Sequence, residues 1–317
     1  MSWPPEILQG APRIGLGLAA LGRPAYITND RQAELGTDRS PEALSRRTGE
    51  VLDAAYAAGV RYVDAARSYG LAENFLAGWL GQRGLGPEDI AVGSKWGYTY
   101  VGGWRMDAER QETQDLGLHT LNRQLKESLR ILGSNLLLYQ IHSASPENAV
   151  LSSSDVLDAL RRLRERPMAI GLTVTGPHQA QVIQSAIELD LFDTVQATWN
   201  LLEPTSGEAL ARAHAAGLTV IVKEALANGR LTDLGDQPAL VQAAARRGLG
   251  ADTLALSAVL AQPWADIVLS GAVTVDTLAS NLAARAGHWD SDLAALAAEL
   301  AIPAPVYWEE RSQRSWS

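Results

Sequence analysis

The chain alternates short apolar runs with amphipathic, alanine-rich stretches, and does so eight times. The apolar runs, at 12–18, 60–64, 90–95, 136–141, 168–172, 194–198, 218–223 and 266–269, have the length and composition of strands buried on both faces. Between and after them, stretches at 42–58, 71–82, 114–132, 153–166, 176–189, 205–216, 236–247 and 274–285 carry apolar residues at helical spacing. Helix-start signals fall where they should, as in Ser40-Pro41-Glu42, Ser152-Ser153-Ser154-Asp155 and Thr274-Val275-Asp276. Such alternation predicts a parallel sheet covered by helices. A repeat of roughly 30–40 residues fits a closed (β/α)8 TIM barrel better than an open sheet, with the site at the strand C-termini. No stretch resembles a flexible linker, so one α/β domain is expected over all 317 residues. Two segments break the pattern: a Gly/Trp/Tyr-rich loop near 97–113 and an aromatic tail at 303–317. On the site face of a barrel, such loops set substrate selectivity.

Composition narrows the function classes. With 27 basic and 36 acidic residues the net charge is −9, which provides no basic surface for nucleic acid or an anionic membrane. The chain has no cysteine, so disulfides, thiolate nucleophiles and cysteine zinc sites are excluded. His142 has no second histidine at ligand spacing, and no metal site is expected. The opening Met1-Ser2-Trp3-Pro4-Pro5-Glu6 lacks the basic and apolar regions of a signal peptide, and no run reaches the ~18 apolar residues of a membrane span. The expectation is a soluble cytoplasmic protein, a monomer or small homo-oligomer, acting on a small molecule.

Gly15-Leu16-Gly17-Leu18-Ala19-Ala20 matches the dinucleotide fingerprint G-x-G-x-x-A after a strand-like run. That motif needs a helix to start at once, so that a pyrophosphate meets its N-terminus. Gly22 and Pro24 break any such helix, so the segment reads as a first barrel strand running into a loop.

Four ionisable residues sit just past apolar runs. Asp64 and Tyr69 follow Val60-Arg61-Tyr62-Val63, Lys95 follows Ile90-Ala91-Val92-Gly93-Ser94, and His142 follows Leu136-Leu137-Leu138-Tyr139-Gln140-Ile141. Three strands thus bring an acid, a phenol, an amine and an imidazole toward one end of the sheet. A tyrosine titrates near 10, too high for efficient proton transfer at neutral pH, and a nearby ammonium such as Lys95 is expected to lower it. Asp64 would pair with Lys95, and His142 would orient or protonate a substrate oxygen. The set suits protonation of a carbonyl oxygen as hydride reaches its carbon.

These residues resemble the aldo-keto reductase family. Val63-Asp64-Ala65-Ala66-Arg67-Ser68-Tyr69-Gly70 is similar to its D-T-A-x-x-Y-G, Gly93-Ser94-Lys95-Trp96 to its strand-end lysine, and Leu138-Tyr139-Gln140-Ile141-His142 to its L-Y-x-x-H. Ile170-Gly171-Leu172-Thr173-Val174 is similar to I-G-V-S-N, and Gln196 matches the glutamine that holds the nicotinamide carboxamide. The resemblance covers roughly 12–285. It implies a TIM barrel that uses NADP, with NAD possible, to interconvert a carbonyl and an alcohol, Tyr69 giving the proton. The implied cofactor site comprises Thr173, Gln196, Lys223, Glu224, Ala225, Leu226, Gly229, Arg230, Ser270, Gly271, Ala272, Thr277 and Asn281.

The cofactor side departs from the family pattern. The carboxamide asparagine falls on Val174, and the ring-stacking tyrosine and following serine fall on Lys223 and Glu224. The lysine and arginine for the adenosine 2′-phosphate fall on Gly271 and Thr277, which removes charge-assisted bonds that favour the phosphorylated cofactor. Arg230 and Arg285 are candidate replacements, and Lys223 or Arg230 would have to neutralise Glu224. Aromatic Trp96, Tyr98 and Trp104, with Trp308 in the tail, are candidate substrate contacts for an aromatic or carbohydrate-like carbonyl. Two further readings are a vestigial nucleotide-sensing or partner-binding barrel, and a redox-neutral isomerase or lyase using Lys223 and Glu224.

Overall fold

The structure, a computed structural model, describes residues 3–27 and 32–316; Met1 and Ser2 of the opening segment lie outside the described residues. Its strands are β1 (Ile14–Gly17), β2 (Tyr62–Asp64), β3 (Ala91–Trp96), β4 (Leu136–Ala144), β5 (Ala169–Val174), β6 (Thr194–Thr198), β7 (Thr219–Lys223) and β8 (Ile267–Ser270). They close into a barrel in the order β1-β8-β7-β6-β5-β4-β3-β2, every neighbouring pair parallel. The predicted (β/α)8 architecture is therefore the observed one. The Gly15–Ala20 segment is β1 followed by a tight turn, with Leu21 and Gly22 both donating to the Leu18 carbonyl, and no helix follows it directly.

All eight expected helices form, with trimmed ends. The helix Pro41–Ala57 starts as its sequence signal requires, Ser40 accepting from the Ala43 amide at 3.2 Å with proline in the first turn. Leu118–Leu132 begins later than the pattern suggested, because Glu112–Gln114 instead pairs with Tyr98–Tyr100 as an antiparallel hairpin inside the 97–113 loop. The helix Ala251–Leu260 escaped the periodicity argument for a physical reason: every residue in it is buried, so it has no polar face. The aromatic tail contains another helix, Ala304–Ser312. Among the described residues, no helix is long and apolar enough to cross a membrane.

Two features aim the barrel at one rim. Inside it, Tyr62, Leu138, Ile221 and Ile267 form a cluster against which Trp3, Ile7 and Leu8 of the N-terminal segment pack, Trp3 meeting Tyr62 edge-on at 6.2 Å. The end opposite the strand C-termini is thereby filled. Strand register then levels the other end, pairing Asp64 with Gly93, Lys95 with Gln140, Thr173 with Gln196 and Thr198 with Lys223. The candidate site residues share that rim.

Candidate active site

The structure brings Asp64, Tyr69, Lys95 and His142 together. The Lys95 ammonium donates to Asp64 Oδ1, to the Ala65 carbonyl at 2.9 Å and to Tyr69 Oη at 3.3 Å. Asp64 Oδ2 accepts from Gln196 Nε2 at 2.9 Å, Tyr62 Oη at 3.1 Å and Gln140 Nε2 at 3.3 Å. Both partners of the pair are only 1% exposed, so their charges are compensated by each other and by these donors rather than by water. Glycines make this arrangement possible. A Cβ at Gly93 would lie 2.3 Å from Tyr62 Oη, closing the path by which that hydroxyl reaches Asp64. Gly70 has φ +58°, and a Cβ there would sit 2.4 Å from the Gly22 carbonyl, which accepts from the Leu71 amide at 2.7 Å. The Gly22 that breaks the N-terminal motif thus also packs the loop carrying Tyr69.

Ionisation differs from the expectation at Tyr69. Burial, together with the Asp64 carboxylate, pushes the phenol well above 10, and the Arg23 guanidinium 5.2 Å from its ring centre opposes this only in part. The expected lowering by Lys95 is corrected: that ammonium is committed to Asp64. Tyr69 therefore keeps its phenolic proton at neutral pH. Burial, reinforced by Lys95, Lys223 and Arg23, drives His142 well below 6.5, so its imidazole is neutral. The ring stands edge-on to Tyr69 at 5.5 Å and to Tyr98 at 4.9 Å.

A cavity of about 400 Å³ opens over this cluster. Asp64, Tyr69 and His142 line it, and its walls continue through Thr173, Gln196, Lys223, Glu224, Ala225, Leu226 and Gly229 to Ser270, Gly271, Ala272, Thr277 and Asn281. Val174 is buried outside the lining, whereas Thr173 and Thr175 on either side of it face the cavity. Arg230 is not in the wall; it is paired with Asp236 at 2.9 Å and Glu310 at 2.8 Å. Arg285 likewise spends its guanidinium on the Leu282 and Ala284 carbonyls. Neither arginine is placed as the replacement cation the sequence suggested. Among the described residues lining the Ser270–Asn281 end there is no lysine or arginine.

Of the candidate substrate aromatics only Tyr98 lines the cavity. Trp96 is fully buried, Trp104 is tied by its indole nitrogen to the Arg39 carbonyl at 2.7 Å, and Trp308 packs edge-on against Tyr307 at 5.5 Å. These three do not line the cavity. In their place the structure supplies Arg23, Tyr26, Glu112 and Trp316, with Arg23 paired to Glu112 at 2.8 Å and 4.6 Å from the Trp316 ring centre. Only chain path, through the hairpin and the C-terminal segment, assembles that set.

The most informative residue missed in the sequence is Arg311, on the last helix. It grips Glu224 with both forks of its guanidinium, including 2.8 Å from Nε to Oε2, so Arg311 and not Arg230 neutralises that carboxylate. Burial alone would raise the Glu224 carboxyl, but Arg311 and Lys223 outweigh it and hold it at about 2. Glu224 also has a left-handed backbone, φ 54°, with its carbonyl accepting from Asn200 Nδ2 at 3.0 Å. The Lys223 ammonium donates to Thr198 Oγ1 at 3.1 Å and lies 5.9 Å from the Trp308 ring centre; burial lowers it to about 8, against the pull of Glu224. No carboxylate or histidine cluster suited to a metal occurs among the described residues.

Fold and site together define a TIM-barrel protein with a buried acid/base cluster at the mouth of an elongated cavity. The chain belongs to the aldo-keto reductase family: residues 13–300 match the sequence profile of the Aldo/keto reductase family. No curated protein matches the chain significantly. Among solved structures, a putative aldo-keto reductase from Pseudomonas aeruginosa is 23% identical, with 88% of this chain and 91% of that one covered and a TM-score of 0.64. The holo form of an aldo-keto reductase from Bacillus halodurans is 21% identical, covering 95% and 92%, at 0.64. An aldo-keto reductase from Klebsiella pneumoniae, solved in complex with NADPH, is 20% identical, covering 93% and 92%, at 0.63. These likenesses establish the shared barrel.

Proposed function

We propose that the protein is an NAD(P)H-dependent oxidoreductase that reduces a carbonyl to an alcohol, with Tyr69 as proton donor. The observation that carries this reading is the Asp64–Lys95–Tyr69 chain of contacts beside a neutral His142, at one end of a cavity long enough to continue to Ser270 and Asn281. The donor set supports a nicotinamide nucleotide. Gln196 and the Thr173 and Thr175 side chains would face its carboxamide end. Ala225, Leu226 and Gly229 would flank the middle, and Ser270, Gly271, Ala272, Thr277 and Asn281 would hold the adenosine end. When bound, that group supplies the hydride. The protein supplies everything else: Tyr69 Oη gives its proton to the developing alkoxide, the Lys95 ammonium, held in place by Asp64, stabilises the phenolate left behind, and His142 orients the carbonyl oxygen.

Among the described residues, the lack of a lysine or arginine lining the Ser270–Asn281 end supports use of NADH as well as NADPH. For the substrate, Tyr98 and Trp316 offer ring faces while Arg23 and Glu112 offer paired polar groups, which favours the carbohydrate-like carbonyl over a purely aromatic one. The redox-neutral alternative loses its base. A Glu224 carboxylate held at about 2 by a two-pronged arginine is a poor proton acceptor at neutral pH. Tyr69→Phe tests the proposal: turnover should fall by roughly 10²–10⁴-fold while cofactor affinity stays within about twofold. Undiminished turnover in this variant would remove Tyr69 from the mechanism.

A further inference from the structure

We propose that the wall built by Lys223, Glu224 and Arg311 discriminates the oxidation state of a bound nicotinamide ring, holding the neutral reduced form and disfavouring the cationic oxidised form. This rests on the reading that the cavity takes a nicotinamide nucleotide. The geometry then fixes where the ring lies. The reacting carbonyl must sit beside Tyr69 and His142, and the rest of the nucleotide must run toward Ser270 and Asn281. A ring that passes hydride to that carbonyl occupies the stretch between, whose wall is Gln196, Lys223 and Glu224.

Among the described residues around the acid/base cluster and this stretch, short of Glu34 at the far Thr277 end, the charges leave one positive. Asp64 cancels Lys95, Glu112 cancels Arg23 at 2.8 Å, and Glu224 cancels Arg311 through the two-pronged contact. Lys223 has no such match: its ammonium donates to the neutral Thr198 hydroxyl at 3.1 Å. Lys223 also lies close enough to the cluster for its charge to be felt at His142. An aromatic side chain at this position would be indifferent to ring charge, or would favour the cation through its π face. An ammonium does the reverse. With two unit charges ~5 Å apart and an effective dielectric between about 20 and 40, the penalty on the oxidised ring is roughly tenfold to a few hundredfold in affinity.

The consequence for a reductase is selective loading. Reduced nucleotide binds in the presence of an excess of oxidised nucleotide, and the oxidised product leaves readily. Linkage requires a counterpart: the same factor pulls the on-site equilibrium back toward reduced ring plus carbonyl. The overall equilibrium in solution is untouched, so the device acts on occupancy and release.

The test is a set of equilibrium titrations at pH 7, by tryptophan fluorescence quenching or calorimetry, with reduced and oxidised nucleotide. Wild type should bind the reduced form at least ~10-fold more tightly than the oxidised one. Lys223→Met and Lys223→Gln, two neutral replacements of different polarity, should shrink that ratio about tenfold, chiefly by tightening the oxidised form, and Lys223→Arg should preserve it. A wild-type ratio near one, or a ratio unchanged in the neutral variants, overturns the inference while leaving the cofactor reading intact. Failure of wild type to bind either form overturns both.

Discussion

Removing the Arg311 guanidinium perturbs the cofactor wall at the point where the sequence was least informative. Glu224 is 7% exposed in its side chain and faces Arg311 through a two-pronged contact, with Lys223 beside it. Its carboxyl falls from 4.5 to about 2 on folding. At roughly 1.4 kcal/mol per tenfold change in acidity that is about 3 kcal/mol of stability at pH 7. Lys223 supplies part of it, so Arg311→Met, which keeps an unbranched stem and removes the guanidinium that lies 5.3 Å from the Trp308 ring centre, should cost about 2 kcal/mol. The pH dependence distinguishes this from lost packing. A carboxyl depressed in the folded state contributes fully above its unfolded value of 4.5, and the contribution is lost as pH falls toward 2. Urea denaturation of wild type and variant between pH 7 and pH 3 is the assay. The difference in unfolding free energy should be constant from pH 7 to about 5 and shrink steadily below that. A difference of the same size at pH 7 and pH 3 would refute the electrostatic argument and reassign the effect to packing.

Two other perturbations follow from the same physics. Asp64→Asn leaves the Lys95 ammonium buried without its carboxylate and should cost about 3–5 kcal/mol of stability, along with most of the turnover; a melting midpoint within a degree of wild type would contradict it. Lys223 points the opposite way. Its folded-state value is lowered from 10.5 to about 8, so folding opposes its charged form, a penalty complete below pH 8 and gone above 10.5. Lys223→Met should therefore melt higher than wild type at pH 7, the gap closing as pH approaches 10.5, and a variant that melts lower at pH 7 would show that the lysine stabilises the fold.

Much of this was legible in the sequence because strand ends are. A residue just past a buried strand has only one place to be in a closed barrel, so Asp64, Lys95, His142, Thr173, Gln196 and Lys223 fall at the rim as soon as their strands are found. Residues placed by chain path gave no such signal. Arg311 and Trp316 reach the cavity because the terminal helix folds back over it, and Glu112 because a hairpin forms inside the 97–113 loop. Arg23 was hidden by the turn after β1. The tryptophans misled for a related reason: composition indicates which side chains can stack, but Trp96 follows Lys95 on β3 and so takes the opposite face, in the core shared with Val92, and Trp104 is captured by a backbone carbonyl. The sign of the Tyr69 shift was missed because the sequence shows Lys95 nearby but neither how deeply the phenol is buried nor that the Asp64 carboxylate stands beside it.

On the proposed function, the cavity beside the Asp64–Lys95–Tyr69 cluster takes a nicotinamide nucleotide although Lys223, Glu224, Gly271 and Thr277 occupy the positions of the family's cofactor contacts. Calorimetric titration of the wild-type protein with NADPH and with NADH tests it most directly. Saturable one-to-one binding of both, with affinities within about tenfold of each other, is the predicted result, since among the described residues no lysine or arginine lines the Ser270–Asn281 end where a 2′-phosphate would lie. No binding of either form up to ~1 mM, the upper end of ordinary enzyme–substrate affinities, would contradict it.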